Sequence, residues 1–345
     1  MSEFPRRIDT EEQLDEILSR PTAEVVGLMG WLRGDVAILG IAGKMGVTLG
    51  MMAVRATREA GVSRRVIGVA RFSDADARAK LDAAGVETIV CDLLDPEAVA
   101  RLPRAENVVF MAGRKFGTEG GEPLTWAANT VIPANVCRCF RGSRIMAFST
   151  GCVYPFVSPE SGGSTEDSQP DPVGEYSQSC LARERIFQYY SLADGTPVCL
   201  FRLYYAIDLR YGVLHDIARK VWAGEPVDVT MACFNMIWQG DANAMALRCL
   251  ELCQSPAAAI NVTGPWVLRT RETAEQFGRL MDREVKITGR ESPAVYLANT
   301  RKAEEVLGRP SVTVDRMMQW TARWMMAGGR SLGKPTHFEV KDGRF

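Results

Sequence analysis

The stretch Asp35-Val-Ala-Ile-Leu-Gly40-Ile-Ala-Gly43-Lys-Met-Gly46 places three glycines, spaced by three residues, at the end of a short apolar run. A helical pattern follows to about residue 60, and a second apolar run comes at 65–70. Gly40 permits a tight turn, Gly43 lets backbone amides approach phosphate oxygens, and Gly46 allows a helix to pack closely on a strand. Because a helix N-terminus attracts anions, this stretch predicts a site for a dinucleotide pyrophosphate, with an ordinary strand-to-helix turn as the competing interpretation.

Short apolar segments and helical patterns alternate along the chain as far as residue 207. Further apolar segments come at 86–91, 106–111, 144–149 and 197–202, and helical patterns at 74–84, 95–102, 122–140 and 175–192. Buried parallel strands are continuously apolar, and each needs a crossover helix to reach the next. The sequence therefore predicts an α/β fold with a Rossmann-type, doubly wound parallel sheet that binds its ligand at the carboxyl ends of the strands.

The regular alternation ends after residue 207, and this divides the chain into predicted parts. We expect a helical N-terminal extension over 1–34, with helices near 11–18 and 22–32 broken by Pro21, and a dinucleotide-binding domain over 35–207. A smaller, mostly helical substrate-binding lobe is expected over 208–330, with short strands such as 258–263. Earlier segments of the chain can also contribute to this lobe. The tail, 331–345, carries an Asp-Gly turn signal for a small hairpin, packed either on the body or on a second subunit of a homodimer.

Composition and charge exclude several classes of partner. Forty-one basic residues against forty-two acidic ones, with no basic stripe, argue against nucleic acid. No apolar run approaches the ~20 residues needed to span a bilayer, so we expect a cytoplasmic protein with no membrane partner. Nine scattered cysteines without a Cys-x-x-Cys pair indicate reduced thiols, and two isolated histidines predict no zinc or other metal site.

Further motifs follow the glycine turn in a definite order. Asp92 stands in Cys-Asp-Leu-Leu-Asp, Met111-Ala-Gly-Arg-Lys115 follows the fourth predicted strand, and Asn129 falls in the next helix. Ser149-Thr-Gly-Cys-Val-Tyr154 ends the fifth strand, and Glu175-Tyr-Ser-Gln-Ser-Cys180 comes after a long loop. From residue 34 to about 329 the chain thus resembles the extended short-chain dehydrogenases/reductases, the NAD(P)-dependent epimerase/dehydratase family. The resemblance implies an enzyme with a nicotinamide cofactor.

The resemblance also implies which residues contact the cofactor. Asp92 would bind the adenine amino group, and Asn129 would tie the active-site strands together. Ala70 and Arg71 end the second strand without a carboxylate, and Lys44 lies nearby in the glycine turn, so NADP is favoured over NAD. NAD, with Arg71 as a surface charge, is the alternative. The predicted cofactor contacts are Gly40, Ala42, Gly43, Lys44, Met45, Gly46, Arg71, Asp92, Leu93, Met111, Ala112, Gly113, Lys115, Asn129 and Tyr176.

The predicted catalytic residues depart from the family pattern at one position. The resemblance implies that Thr150 hydrogen-bonds the reacting oxygen and that Tyr176 exchanges its proton, but Cys180 replaces the lysine expected one helical turn after Tyr176. An ammonium ~5 Å from a phenolate at an effective dielectric of ~20 contributes roughly 3 kcal/mol, which lowers the phenol pKa by about two. Without that charge Tyr176 suits reduction, which needs an acid, better than oxidation, which needs a base.

Another cation could substitute for the missing lysine. Lys115 is the predicted substitute, since the loop after the fourth strand lies at the same end of the sheet, with Arg114 and Arg183 behind it. The alternative is that Lys115 only neutralises a cofactor phosphate.

The substrate is predicted mainly by what is missing. At the places where nucleotide-sugar enzymes of the family carry their nucleotide contacts, this chain has 202–206 and 233–241, which lack the expected Asn and Arg-Asp residues. We therefore expect a small polar carbonyl or hydroxyl compound, a sugar or sugar acid, with Tyr205, His215, Asn235 and Trp238 as candidate contacts, although such side chains are commonly structural. The resulting hypothesis is an NAD(P)-dependent oxidoreductase or epimerase. The alternatives are a nucleotide-sugar epimerase/dehydratase and a non-catalytic NAD(P)-binding sensor, in which Cys180 in place of the lysine reflects the loss of catalytic activity.

Overall fold

A computed structural model describes residues 4–115, 120–334 and 336–343 of the chain. In chain order its helices are α1 (Glu11–Leu18), α2 (Ala23–Trp31), α3 (Gly46–Glu59), α4 (Ala75–Ala84), α5 (Pro96–Ala100), α6 (Glu122–Cys139), α7 (Gly174–Asp194), α8 (Val213–Ala223), α9 (Gln239–Arg248), α10 (Thr270–Met281), α11 (Arg301–Leu307) and α12 (Val314–Met326). The strands are β1 (Val36–Leu39), β2 (Val66–Ala70), β3 (Glu87–Val90), β4 (Asn107–Phe110), β5 (Arg144–Thr150), β6 (Val198–Leu203), β7 (Ala206–Ile207), β8 (Val227–Asp228), β9 (Cys233–Phe234), β10 (Ile237–Trp238), β11 (Ala258–Val262), β12 (Leu268–Arg269) and β13 (Ile287–Thr288).

The predicted parallel sheet is confirmed. Seven strands of the described chain pair in the order β3-β2-β1-β4-β5-β6-β11, all parallel. From β1 the chain adds β2 and β3 on one side, and it then returns to add β4, β5, β6 and β11 on the other side. The neighbours β1 and β4 are therefore not consecutive in the sequence. At such a switch point the two connections leave on opposite faces of the sheet and open a crevice at the carboxyl ends of the strands.

The last strand of the sheet comes from a part of the chain that was predicted to belong to the substrate lobe. β11 pairs with β6 in the register Ala258↔Cys199, and it extends the sheet instead of standing apart from it. Helix α9 likewise packs against α2 and α3 on one face of the sheet. Residues after 207 therefore alternate between the lobe and the sheet layer. A short apolar strand carries no local signal that tells a lobe strand from a sheet edge.

Three helices from the C-terminal part of the chain form a second layer, and the N-terminal extension joins it to the sheet layer. Helices α8, α10 and α12 pack on one another around a core that includes Phe277 and Trp320. From the extension, Glu16 pairs with Arg55 of α3 at 2.9 Å, and Asp15 pairs with Arg210 of the second layer at 3.0 Å. The extension thus crosses between the layers and fixes their relative position. No described helix has the length and apolar character needed to cross a membrane.

The described part of the tail forms no hairpin. Instead, the backbone NH and the hydroxyl of Thr336 donate to the Asp216 carboxylate at 2.8 and 2.6 Å, and Phe338 is buried against Phe234. Farther along, Gly343 lies against Gly174 at the start of α7. The tail therefore passes over the end of the sheet where α7 begins, held by side-chain contacts that a turn signal does not reveal.

Candidate active site

A cleft at the carboxyl ends of β1, β4, β5 and β6 consists of two connected pockets. The tyrosine pocket is lined by Tyr176, Tyr204, Tyr205, Tyr211 and Tyr296, together with Lys44, Lys115, Thr150, Cys152 and Thr336. The Asp92 pocket is lined by Asp92, Ala70, Arg71, Leu93 and Ala128. Gly40, Gly43, Met111 and Gly113 line both pockets, so the glycine turn lies at their junction.

The three glycines of the turn have different surroundings. Gly40 has a φ of +87°, and a Cβ there would lie 2.7 Å from the Ala112 amide nitrogen. A Cβ on Gly46 would lie 2.2 Å from the Ile41 carbonyl oxygen, inside the strand-to-helix packing. A Cβ on Gly43 would meet only the Gly40 carbonyl oxygen, at 3.4 Å, so the space over this residue is open. Helix α3 also begins without a side-chain cap. These features fit a dinucleotide whose pyrophosphate lies over Gly43 at the start of α3.

The Asp92 pocket carries the residues predicted to contact the adenosine half of a cofactor. Asp92 is exposed, and its carboxylate accepts the Leu94 backbone NH at 3.0 Å, which fixes its orientation. Arg71 is exposed at the end of β2, and Leu93 and Ala112 supply apolar walls. Ala42, from the glycine turn, lines the same pocket. The set fits an adenosine: apolar walls for the base and polar groups for its edge and ribose.

Thr150 and Tyr176 meet in the tyrosine pocket. Thr150 ends β5, where its hydroxyl accepts the Cys152 backbone NH at 3.2 Å, and Tyr176 lies in the first turn of α7. The two side chains are hydrogen-bonded. Burial raises the pKa of Tyr176 well above the usual tyrosine value, whereas the nearby Arg183 charge and the Thr150 hydrogen bond lower it. Tyr176 is therefore a protonated phenol at neutral pH, able to donate a proton but a poor base.

At the position of the family lysine, the structure has a buried thiol. Cys180 is fully buried, and burial raises its pKa, so this side chain stays neutral. The amide nitrogen of Asn129 lies 4.0 Å from its sulfur. No charge reaches Tyr176 from this position of the helix.

The charge of Arg183, which follows Cys180 by three residues on α7, does act on Tyr176. The Arg183 guanidinium donates to the Phe148 carbonyl oxygen at 3.0 Å and to the Asn129 side-chain oxygen. A Cβ on Gly113 would lie 2.2 Å from this guanidinium, so the glycine leaves the room that Arg183 fills. Sequence reasoning named Arg183 only as a background charge. Its spacing of seven residues from Tyr176, two helical turns on the same face, was the available signal.

Lys115 also lies in the tyrosine pocket. Burial lowers its pKa, and the neighbouring Cys152 and Cys180 act in the opposite direction. Lys115 is thus close to both thiols and lines the same pocket as Tyr176. The structure therefore places two cations, Arg183 and Lys115, from different elements in the lining of the pocket that contains Tyr176.

Asn129 connects the elements around this pocket. Its oxygen accepts the Arg114 backbone NH at 3.1 Å, and its nitrogen donates to the Ser179 hydroxyl at 2.9 Å. Because Asn129 is fully buried in α6, these bonds fix the loop after β4 against α7. It holds other cleft residues in place and is not itself part of the cleft lining.

Lys44 lies elsewhere than the NADP prediction required. Its ammonium donates to the Ala206 carbonyl oxygen at 2.9 Å and lies 4.2 Å from the centre of the Tyr211 ring. It lines the tyrosine pocket and not the Asp92 pocket. Of the two cations on which the NADP prediction depends, only Arg71 lines the Asp92 pocket, because the Lys44 side chain extends toward Ala206.

Of the predicted substrate contacts, Tyr205 lines the tyrosine pocket, where its backbone has a φ of +31°. The other three lie outside that pocket, which corrects their assignment. His215 is bonded to the Leu209 carbonyl oxygen and the Ser331 hydroxyl, at 2.8 and 2.9 Å. Asn235 donates to the Ala298 carbonyl oxygen at 2.8 Å, and Trp238 is buried against Trp320. Each side chain is held in the interior of the second layer.

Three residues that line the tyrosine pocket from the second layer and the tail could not be found by sequence reasoning: Tyr211, Tyr296 and Thr336. These residues lie far apart in the chain, so no regular spacing in the sequence relates one to another. Only the folding of the second layer over the sheet brings them together.

The fold and the cleft define a nicotinamide-dependent enzyme of the extended short-chain dehydrogenase/reductase type, and comparison with known proteins agrees. The model of the NAD dependent epimerase/dehydratase family matches residues 36–223. The chain belongs to this family. A comparison with curated proteins found no significant sequence match.

Solved structures show the same fold at low identity. The UDP-glucuronic acid 4-epimerase from Bacillus cereus in complex with NAD is 16% identical, with a TM-score of 0.69 over 85% of this chain and 98% of that one. The dTDP-glucose 4,6-dehydratase from Streptomyces venezuelae with NAD and TYD bound is 18% identical, with a TM-score of 0.71 over 85% and 97%. The UDP-glucose 4-epimerase from Thermotoga maritima with UDP-glucose is 17% identical, with a TM-score of 0.69 over 85% and 99%.

Proposed function

We propose that this protein is a nicotinamide-dependent oxidoreductase or epimerase that acts on a small polar carbonyl or hydroxyl compound of the sugar or sugar-acid type. The observation that carries the proposal is the hydrogen-bonded pair Thr150 and Tyr176, which shares a pocket with the glycine turn. A non-catalytic NAD(P) sensor has no use for a phenol and a hydroxyl held together at this position, so the pair favours the enzyme.

Proton transfer is the part of the reaction assigned to this chain. The bound nicotinamide supplies a hydride to the carbonyl carbon or takes one from the alcohol carbon. In the reductive direction Thr150 hydrogen-bonds the carbonyl oxygen, and Tyr176 gives that oxygen its proton. Because the pKa of Tyr176 is raised, the protonated form is available over the whole neutral range. The same residues, run in reverse, would take the proton of an alcohol, as an epimerase also requires, but the raised pKa of Tyr176 makes this direction the slower one at neutral pH.

The phenolate left after proton transfer needs a cation, and we assign that function to Arg183 together with Lys115. Arg183 is buried, and its charge lowers the Tyr176 pKa. Lys115 enters the pocket from the loop after β4. Neither lies at the family's lysine position. Together they would supply electrostatic support for Tyr176 that Cys180 does not.

The cofactor preference is proposed to be NADP, on the position of Arg71 alone. Arg71 directly follows β2 and lines the Asp92 pocket, where a ribose 2′-phosphate would lie. Its neighbours in the pocket lining, Ala70, Phe72 and Ser73, are not acidic. The preference is correspondingly modest, since a single exposed cation contributes little when solvent competes for it.

A nucleotide sugar is the second candidate substrate. Its support is that this chain matches 97–99% of the length of structures that bear such names, including two solved with UDP-glucose or TYD. Against it stands the absence of the family's nucleotide contacts over 202–206 and 233–241.

A turnover screen tests the proposed function. Free aldoses, ketoses, sugar acids and UDP-sugars are offered with NAD, NADP and their reduced forms, and absorbance of the reduced nicotinamide or the isomer ratio is followed. With the best substrate, Tyr176→Phe should lower kcat by about 10²- to 10⁴-fold while cofactor binding changes little. Tyr189→Phe is the matched control, since Tyr189 is exposed on the same helix. A Tyr176→Phe variant as active as the parent would overturn the assignment, and turnover of UDP-sugars alone would select the second candidate.

A further inference from the structure

Two lysines enter the tyrosine pocket from neighbouring strands. Lys44 comes five residues after Leu39, and Lys115 five residues after Phe110; Leu39 and Phe110 are paired at the ends of β1 and β4. Both side chains line the pocket that holds Tyr176. The pocket therefore carries two ammonium groups, in addition to Arg183, next to the place where a substrate must lie for proton transfer.

The surroundings of Lys44 do not explain its charge. In the described chain, its ammonium has a backbone carbonyl and the face of the Tyr211 ring as close contacts, and no carboxylate oxygen lies within 4.0 Å of it. The charged groups that act on it from a greater distance are Asp208, Arg210, Lys115 and Asp216. Taking an ammonium out of water without an anionic partner costs free energy, so folding alone does not favour a lysine here.

Both nearby carboxylates are already engaged by other groups. Asp208 is buried, pairs with the Arg210 guanidinium at 3.2 Å and accepts the Arg210 backbone NH at 2.6 Å. Asp216 accepts two hydrogen bonds from Thr336. These bonds hold the two carboxylates toward the second layer and the tail. An anion that enters the pocket would therefore meet Lys44 without displacing an existing ion pair.

The direction of the Lys44 side chain separates this site from the cofactor phosphates. The glycine turn, where a pyrophosphate would lie, is at the junction of the two pockets. The Lys44 ammonium instead lies at Ala206, beyond the end of β6, and does not line the Asp92 pocket. Tyr205, with its left-handed backbone, and Tyr211 stand on the same side and offer hydroxyls to a polyol.

Resting on the proposed function, we propose that Lys44 and Lys115 form an anion-binding subsite in the tyrosine pocket and that the substrate carries a carboxylate there, as a sugar acid does. The ammonium groups bind the carboxylate, and the tyrosine hydroxyls bind the remaining hydroxyl groups. Lys44 and Lys115 thus select acidic substrates over their neutral counterparts, whereas Thr150 and Tyr176 carry out the proton transfer.

The subsite should respond to pH in a defined direction. Burial lowers the pKa of Lys44 to about 8, so its ammonium is charged below that pH and neutral above it. Affinity for an acidic substrate therefore falls as the pH rises above about 8, because the lysine loses its proton and its charge. A bound anion raises the lysine pKa, so the fall continues to higher pH in the complex. A neutral sugar should show no such fall.

Calorimetric titration of the cofactor-loaded protein with D-glucuronate and with D-glucose tests the inference without requiring turnover. We expect glucuronate to bind about tenfold more tightly than glucose near neutral pH and this preference to shrink well above pH 8. Because Lys115 alone then remains in the subsite, Lys44→Met should weaken glucuronate binding and reduce the preference. Lys44→Arg should keep it at high pH, because a guanidinium stays charged. Lys302→Met, which changes an exposed lysine of α11, is the control.

Three results would overturn the inference. These are equal affinities of the parent for the two sugars, no glucuronate binding at about 10 mM, and a Lys44→Met variant that loses cofactor affinity but keeps the glucuronate preference. The last would assign Lys44 to the cofactor phosphates. A failure here stays distinct from failure of the proposed function, since Tyr176→Phe tests proton transfer and leaves both lysines in place.

Discussion

The two pockets of the cleft are built in different ways. The Asp92 pocket consists mainly of residues that directly follow β1, β2, β3 and β4, closed on one side by α6, and two of its polar side chains, Arg71 and Asp92, are exposed. The tyrosine pocket draws residues from the glycine turn, β5, α7, the end of β6, the second layer and the tail. Its ionisable groups have pKa values displaced by burial, as Tyr176, Lys44 and Lys115 show. The predicted cofactor-binding surface is therefore built mainly from strand ends, whereas the predicted reactive pocket needs distant parts of the chain to bury its ionisable groups.

The largest expected effect comes from the buried ion pair beneath the tyrosine pocket. Arg202 of β6 and Glu184 of α7 are 2.7 Å apart and at most 5% exposed, and Glu184 also accepts the Ser149 hydroxyl at 2.5 Å. Arg202→Met leaves a buried carboxylate uncompensated, so it should lower the free energy of unfolding by about 3–5 kcal/mol in urea denaturation. The double variant Glu184→Gln/Arg202→Met should recover part of this loss. Equal stability of the single variant and the parent would contradict the role of the pair.

Two glycines of the turn should separate folding from cofactor binding. Gly46→Ala places a Cβ against the Ile41 backbone and should cost about 1–3 kcal/mol of stability. Gly43→Ala has room in the fold and should stay within about 0.5 kcal/mol of the parent. Its methyl group, however, should raise the cofactor Kd about tenfold or more, because it keeps the backbone away from the pyrophosphate. Parent-like cofactor binding by Gly43→Ala would place the phosphates elsewhere.

Arg183 acts on Tyr176 through its charge, so its substitution should change a pH profile. Because its charge lowers the Tyr176 pKa, Arg183→Met should raise that pKa and move the rate profile for alcohol oxidation to higher pH. At neutral pH the rate should fall about tenfold, the equivalent of one pKa unit. Arg183→Lys should restore part of the charge effect. A lower rate with an unmoved profile would show that Arg183 only holds Asn129 and Phe148 in place.

The smallest expected effect lies in the Asp92 pocket. Arg71→Ala should raise the Kd for NADP up to about tenfold and change the Kd for NAD less than about twofold, because only the 2′-phosphate needs the cation. Arg78→Ala is the control, since Arg78 lies beside the Phe72 ring and pairs with Asp82 outside the pocket lining. Fluorescence titration measures the Kd for each cofactor. Equal losses of affinity for NADP and NAD would show that Arg71 does not discriminate between them.

Much of the sheet was predictable because its signals are local. The apolar runs predicted at 65–70 and 144–149 became β2 and β5 within one residue at each end. The predicted helices at 11–18 and 22–32 likewise became α1 and α2. β11 and α9 were assigned to the substrate lobe because their packing on β6, α2 and α3 depends on residues far away in the chain. Long-range pairing leaves no periodicity in the strand itself.

By itself the sequence determined the doubly wound sheet, the glycine turn and the position of Thr150 and Tyr176 relative to the strand ends, since spacing within one strand or helix fixes which face a side chain takes. Tertiary structure alone decided that Arg183 supplies charge to Tyr176, that Lys44 extends toward Ala206, and that His215, Asn235 and Trp238 lie away from the cleft. Long side chains from separate elements meet only when those elements pack. Burial, which sets the pKa values of this pocket, exists only in the folded chain.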